Sequence, residues 1–405
     1  MKKTQLFNIN EHNFTAYNDP GLNLVISSQI RQVSEIVLSR VKDTVSLILL
    51  GGYARGEGSV IETSKGLIPL GDYDFLLVTK CPHLSLHLPE LEVLDKKFRV
   101  QYHTEVGYTW KFGLQFVARQ IYWYEAKYGS LSVYGDADVL NAIPINSSMD
   151  IDLKEGFRLM FNRLVGMLRV FDPHFLDRDP TNEQKEHLVF QSVKGVLSCG
   201  ESLLLLIGKY HYSYRKRLQN LVDRFEEEFP NLARADPNLK ADFEKASRFK
   251  LYPSYDICQD GVKLWFSAKQ HILQTLLFFL AKTRRLEDNI LVDNPLEEFP
   301  VSFLSSSKPE LLDYMMFNWR AFTSMKSFKG FLNISCAFSD IVRLAIFYLA
   351  TSITEDGSID HHLLEKSLRT IRPIFPVDVK VNDNLQKSWK DVEKAVFSVW
   401  KCSRQ

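Results

Sequence analysis

Two aspartates stand two residues apart in Gly71-Asp72-Tyr73-Asp74, at the head of the apolar run Phe75-Leu76-Leu77-Val78. The run predicts a buried strand over Asp72–Thr79. Residues i and i+2 of a strand share a face, so both carboxylates are expected on one side of it. Two carboxylates on one face repel each other unless a cation lies between them. Mg²⁺ suits that setting, because it binds through carboxylates together with substrate phosphates. A pair of such ions can activate an attacking oxygen and stabilise a leaving one. Upstream, Val45–Leu50 is another short apolar run, and it ends at Gly51-Gly52. Glycines let the backbone approach a polyphosphate closely. The segment Ala54-Arg55-Gly56-Glu57-Gly58-Ser59 reads as the opening of a helix, whose first N–H groups and dipole favour anions. The stretch Leu47–Val78 therefore has the makings of a metal-phosphate site.

Three further side chains are candidates for phosphate, each with a plainer alternative. Arg55 carries a planar fork of donors that matches phosphate; paired with Glu57 or Asp72 it would instead brace the turn. Ser59 can reach a phosphate or serve as an ordinary helix-side hydroxyl. Lys127, just before Gly129-Ser130, can neutralise a triphosphate or stand solvated at a helix end.

The order of these pieces resembles the polymerase β-like nucleotidyltransferase superfamily. The nearest likeness within it is to the small bacterial aminoglycoside-type and minimal nucleotidyltransferases. Gly51 and Gly52 match the glycine pair, Arg55, Gly56 and Glu57 the segment after it, and Asp72 and Asp74 the metal-binding pair. Tyr124–Asp136 (YEAKYGSLSVYGD) is also similar to a stretch of the aminoglycoside-type members. The likeness covers roughly residues 45–136, about a quarter of the chain. It implies a compact mixed-sheet catalytic domain joined to a helical C-terminal domain. It also implies transfer of a nucleoside monophosphate from an NTP, ATP first among them, to an acceptor hydroxyl, with release of pyrophosphate. Two Mg²⁺ ions would be held by Asp72, Asp74 and a third carboxylate on a neighbouring strand. Glu105, in His103-Thr104-Glu105-Val106-Gly107, is the candidate, acting on the acceptor proton or sharing the catalytic metal. The family more often has Asp there, so Glu is a departure. Asp95 and Glu125, on predicted helices, are the alternatives.

The elements that must position these residues follow from hydrophobic periodicity. Residues 22–43 read as an amphipathic helix, 45–50 and 72–79 as buried strands, and 61–71 as an extended loop. Leu88–Phe98 reads as helix, Val100–Trp110 as strand, Val117–Lys127 as helix and Leu131–Tyr134 as a short β segment. After about residue 148 the pattern turns to long helices: 151–171, 183–210, 211–229, 238–249, 261–287, 309–324, 334–353, 358–371 and 384–402. The expected fold class is α+β. A small mixed-sheet nucleotidyltransferase-like domain with flanking helices (1–148) precedes a large, mainly helical domain (149–405), which divides near 290–308.

Composition bounds the function classes. Of 405 residues, 45% are apolar and 24% charged, an ordinary globular mix that excludes disordered, collagen-like and coiled-coil chains. Fifty Lys+Arg against 49 Asp+Glu leave no basic excess to draw the chain to nucleic acid or an anionic membrane. The interleaved cluster Tyr210–Arg217 (YHYSYRKR) is the one local exception, and it reads as an exposed helix face rather than a nucleic-acid site. Five cysteines without a C-x-x-C pair fit free thiols in a reducing cytoplasm. The N-terminus lacks an apolar signal region. P-loop, G-x-G-x-x-G and G-x-S-x-G signatures are absent. The partners expected are an NTP and a hydroxyl acceptor of unspecified class, with a protein partner or a second copy through the helical part left open. The alternative is a catalytically inactive module of the same fold that binds nucleotide or a protein, as a sensor or a toxin–antitoxin component.

Overall fold

The computed structural model describes residues 6–404 except 18, 64–65, 84–85, 87, 99–103, 255–259, 285–337, 374 and 376. The predicted helix 309–324 and the division near 290–308 lie outside the described residues. The chain is mixed α+β, with a small four-stranded mixed sheet and a large helical C-terminal region. It divides into two compact units. One comprises Met1–Glu155, Leu204–Glu228 and Lys240–Ile257; the other comprises Gly156–Leu203, Phe229–Leu239 and Cys258–Gln405. The unit that holds the sheet thus takes in two stretches far beyond residue 148.

The strands, in chain order, are β1 (Thr44–Leu49), β2 (Val60–Thr63), β3 (Gly66–Pro69), β4 (Asp74–Thr79), β5 (Glu105–Trp110) and β6 (Leu131–Gly135). The sheet runs β5-β4-β1-β6. β1 is antiparallel to both β4 and β6, whereas β5 runs parallel to β4. β2 and β3 form a separate antiparallel hairpin where the sequence suggests only an extended loop.

Helix α1 (Pro20–Arg40) starts with Asp19, which accepts from the Leu22 amide, and with Pro20 at its first position, where a missing N–H is harmless. Its stripe Ile26, Ile30, Val33 and Val37 is fully buried. The stripe belongs to one core with Leu47, Leu49, Phe75, Leu77 and Val133, alternate residues of β1, β4 and β6. The intervening Ile48, Leu76 and Val78 are buried as well. A strand covered on both faces has to be apolar throughout, which is why Phe75–Val78 reads as a continuous run. Three more helices complete the surroundings of the site: the single turn α2 (Gly51–Ala54), α3 (Pro89–Phe98) and α4 (Ile121–Gly129).

The second unit is built on aromatic packing. Phe171 stacks on Trp265 with ring centroids 4.0 Å apart, and Phe175, Phe266 and Trp389 meet Phe171 edge-on. Trp265 Nε1 donates to the Met167 carbonyl at 2.8 Å, which satisfies the polar atom that burial would otherwise orphan. Among the described helices, Asn182–Leu206 alone is long and apolar enough to cross a membrane, and its apolar stretch is mostly buried inside the protein.

Phe171→Ala empties the centre of this aromatic cluster. It is expected to lower stability by about 3–5 kcal/mol, read as a drop in the urea midpoint with unchanged slope.

Candidate active site

β4 opens at Asp74, so Asp72 precedes the strand that the sequence predicts from residue 72 on, and Tyr73 between them anchors the approach. Tyr73 is fully buried and donates its hydroxyl to Gln29 Oε1 on α1, while its ring tilts against Tyr53. Across the sheet, Asp74 and Glu105 are direct register partners on parallel strands, and the Glu105 amide donates to the Tyr73 carbonyl. The Asp74 backbone is tied to β1 as well, accepting from the Leu50 amide at 2.7 Å. The glycine turn follows at once. Gly51 has φ +72°, and a Cβ placed on it would lie 2.9 Å from Asp74 Oδ2. Glycine is required here twice over: by the left-handed backbone, and by the carboxylate standing against it.

The electrostatics agree with this crowding. Burial raises the Asp74 carboxyl, the charges of Asp72 and Glu105 raise it further, and Lys250 and Arg55 only partly offset them. The result is a carboxyl pushed up to about 7. Tyr122, in the first turn of α4, senses the same field. Burial, then Asp74 and Glu105, push its phenol up to about 12. The three carboxylates singled out by the sequence therefore interact, and Glu105 lies on the strand beside Asp74.

The basic and hydroxyl candidates are engaged elsewhere. The Arg55 side chain is only 4% exposed; its Nη1 lies 3.3 Å from Glu125 Oε2 and its Nε 3.7 Å from Glu57 Oε2. Of its two readings, the structure favours bracing, with Glu57 and Glu125 as partners. Glu57 in turn accepts from Ser213 Oγ (2.7 Å) and from the amides of Tyr214 (2.9 Å) and Arg215 (3.2 Å). A carboxylate at the start of the helix Tyr214–Val222 meets both unsatisfied amides and the positive end of the dipole. Glu125 also accepts from Tyr210 at 2.6 Å and from Arg217. Burial works to raise the Glu125 carboxyl, but Arg217 and Arg55 outweigh it and hold it below the usual carboxylate range.

Ser59 Oγ donates to the Lys250 carbonyl at 2.8 Å. Lys127 Nζ donates to the carbonyls of Ile143 (2.8 Å) and Ile145 (3.0 Å), so it ties down a turn rather than standing solvated at a helix end. In the cluster Tyr210–Arg217, Arg215 and Lys216 are exposed, while Tyr210 and Arg217 are buried in the ion network. Asp95 accepts from the Thr104 amide and hydroxyl, and so serves the entry to β5.

The helix expected to open at Ala54–Ser59 is one turn, ending at Ala54. Beyond it the amides of Arg55 and Glu57 return to the Gly52 carbonyl, and that of Gly58 goes to the Phe14 carbonyl. So short a turn offers little dipole to an anion. Two residues of the site carry no sequence signal. Tyr122 is one of several tyrosines in its helix, and Lys250 lies far downstream of Asp74, on the helix Leu239–Leu251.

In comparisons with known proteins, no family model matches the chain and no curated protein matches it. Among the described residues, no group of three or more His, Cys, Asp or Glu is gathered closely enough to hold a metal ion by itself. The donor chemistry at Asp72 and Asp74 nevertheless suits Mg²⁺, whose shell is completed by water and substrate phosphates rather than by an all-protein cage.

Two predictions follow from the geometry. Asp74 takes up its proton near 7 when folded but near 3.8 when unfolded. Its contribution to stability is therefore fully present below about 3.8 and is lost as pH rises to about 7. Asp74→Asn should flatten that part of the pH profile. At pH 8 without metal, it should stabilise the protein by on the order of 2 kcal/mol, seen as a raised Tm. In the ion network, Arg217→Met leaves Glu125 with one cation fewer in a buried setting. It should cost about 3 kcal/mol, measured by urea denaturation.

Proposed function

We propose that the protein is a Mg²⁺-dependent nucleotidyltransferase of the polymerase β-like type, moving a nucleoside monophosphate from an NTP to an acceptor hydroxyl. One observation carries the reading: Asp74 stands in register with Glu105 on parallel strands and against Gly51 at the glycine turn. A glycine turn, a strand-head carboxylate pair and a third carboxylate on the adjacent strand are the parts this chemistry needs, and they adjoin one another. The raised carboxyl of Asp74 supports it too, since a crowded anionic cluster gains most from a bound cation.

In this reading Asp72 and Asp74 would hold the metal, and Gly51 and Gly52 would let the phosphates come close to the backbone. The bound ions would neutralise the phosphate charge and activate the attacking oxygen. Glu105 takes the proton from the acceptor hydroxyl as that oxygen bonds to the α-phosphorus and the bond to pyrophosphate breaks. Positioning and charge neutralisation supply the rate. ATP is the first NTP to test; the acceptor is a small molecule or a protein hydroxyl.

The engagement of Arg55, Ser59 and Lys127 in internal contacts favours a second reading, in which the same fold binds nucleotide or a protein partner without turnover.

Calorimetric titration of the wild type and of the double variant Asp72→Ala/Asp74→Ala with ATP, GTP, CTP and UTP in Mg²⁺ tests both. The expected outcome is Mg²⁺-dependent binding of at least one NTP that the folded double variant loses. Binding without pyrophosphate release in the presence of acceptors would favour the inactive module. No binding of any NTP by folded wild type would overturn the nucleotide site.

A further inference from the structure

The Tyr122 hydroxyl lies beside Gly107, on the face of β5 that carries Glu105. Gly107 lies two residues after Glu105 on β5, on the same face of the strand. It has no side chain, and the Tyr122 hydroxyl lies at contact distance from the point where one would begin. That oxygen lies 3.4 Å from the point a Gly107 Cβ would occupy, and the Phe75 carbonyl lies 3.7 Å from the same point. Phe75 is the residue after Asp74. The phenol is thus held over the sheet at Gly107, two residues along β5 from Glu105 and opposite Leu76, two residues along β4 from Asp74, and the charges of both carboxylates act on it.

The ring is placed for this. Tyr122 is 42% exposed, and its ring meets Trp123 edge-on at 4.9 Å. The start of α4 is fixed, because the Ile121 amide donates to Glu155 Oε2. The hydroxyl end therefore lies against Gly107, while part of the residue stays exposed.

We infer that Tyr122 is a nucleotidyl acceptor within the protein, so that the chain modifies itself at its own site. The inference rests on the nucleotidyltransferase reading. In the step, Tyr122 Oη bonds to the α-phosphorus of the NTP, the bond from that phosphorus to the β-phosphate oxygen breaks, and pyrophosphate leaves. The phenolic proton passes to the neighbouring carboxylate. No electrons are exchanged, and the product is a tyrosyl phosphodiester. The attached nucleotide would occupy the space over Gly107 in front of Asp74 and Glu105, so modification would also reduce transfer to any external acceptor.

The full chain is incubated with Mg²⁺ and each NTP, digested with trypsin, and the peptide Gln120–Lys127 is read by fragmentation mass spectrometry; metal-dependent NTP binding is measured on the same samples. The expected result is one nucleoside monophosphate on Tyr122 in the wild type. It should be lost in Asp72→Ala/Asp74→Ala and in Tyr122→Phe, while Tyr122→Phe still binds NTP in Mg²⁺. Metal-dependent NTP binding with Tyr122 unmodified, or label on Tyr124 or another residue instead, overturns the inference and leaves the transferase reading standing. Absence of metal-dependent binding in the wild type overturns both.

Discussion

Two carboxylates that face each other across parallel strands set the terms for the first unit. β4 and β5 pair so that Asp74 and Glu105 adjoin, and Asp72 adds a third charge to the field. Like charges in a partly buried place destabilise the fold unless a proton or a cation joins them. Asp74 responds by holding its proton to about 7. The local structure is shaped around this cluster: Gly51 leaves room for the Asp74 carboxylate, and Tyr73 pins the strand entry to α1. Such an arrangement is poor for stability alone, and a bound cation would relieve it.

A second charge system lies beside the first and has the opposite character. Arg55, Arg217, Glu57 and Glu125 neutralise one another, and Tyr210, Ser213 and the first amides of the helix Tyr214–Val222 satisfy the remaining lone pairs. A buried ion network of this kind gains little over an apolar core, but losing one member is costly. Its effect is specificity of position. It fastens the turn after Gly51-Gly52 to α4 and to a helix more than 150 residues downstream. Arg55 therefore acts as a brace, and Lys250 is the cation, along with Arg55, whose charge reaches Asp74.

Much of the fold was legible because local rules coincide with the global outcome. The apolar runs 45–50 and 75–78 read as strands because both faces of the sheet are covered, and α1 reads as a helix because its stripe repeats at 3.6 residues. The hairpin β2–β3 was not legible, since four-residue strands are too short to show a period and only their pairing defines them. The single turn at Gly51–Ala54 looks longer in the sequence, because nothing in Ala54–Ser59 announces that its amides turn back to Gly52 and Phe14.

For the site, the amino-acid order alone determined that a glycine turn and an Asp-x-Asp strand head occur together, and that Glu105 lies on a strand. Residue type and a spacing of two are local properties, and local sterics translate them directly into shared faces and close approach. The tertiary structure decided which strand pairs with β4 and in what register, that Arg55 meets Glu125 seventy residues away, and that the Tyr122 hydroxyl covers Gly107. These are contacts between segments far apart in the chain. Their geometry depends on how the whole unit packs, and no window of sequence carries it.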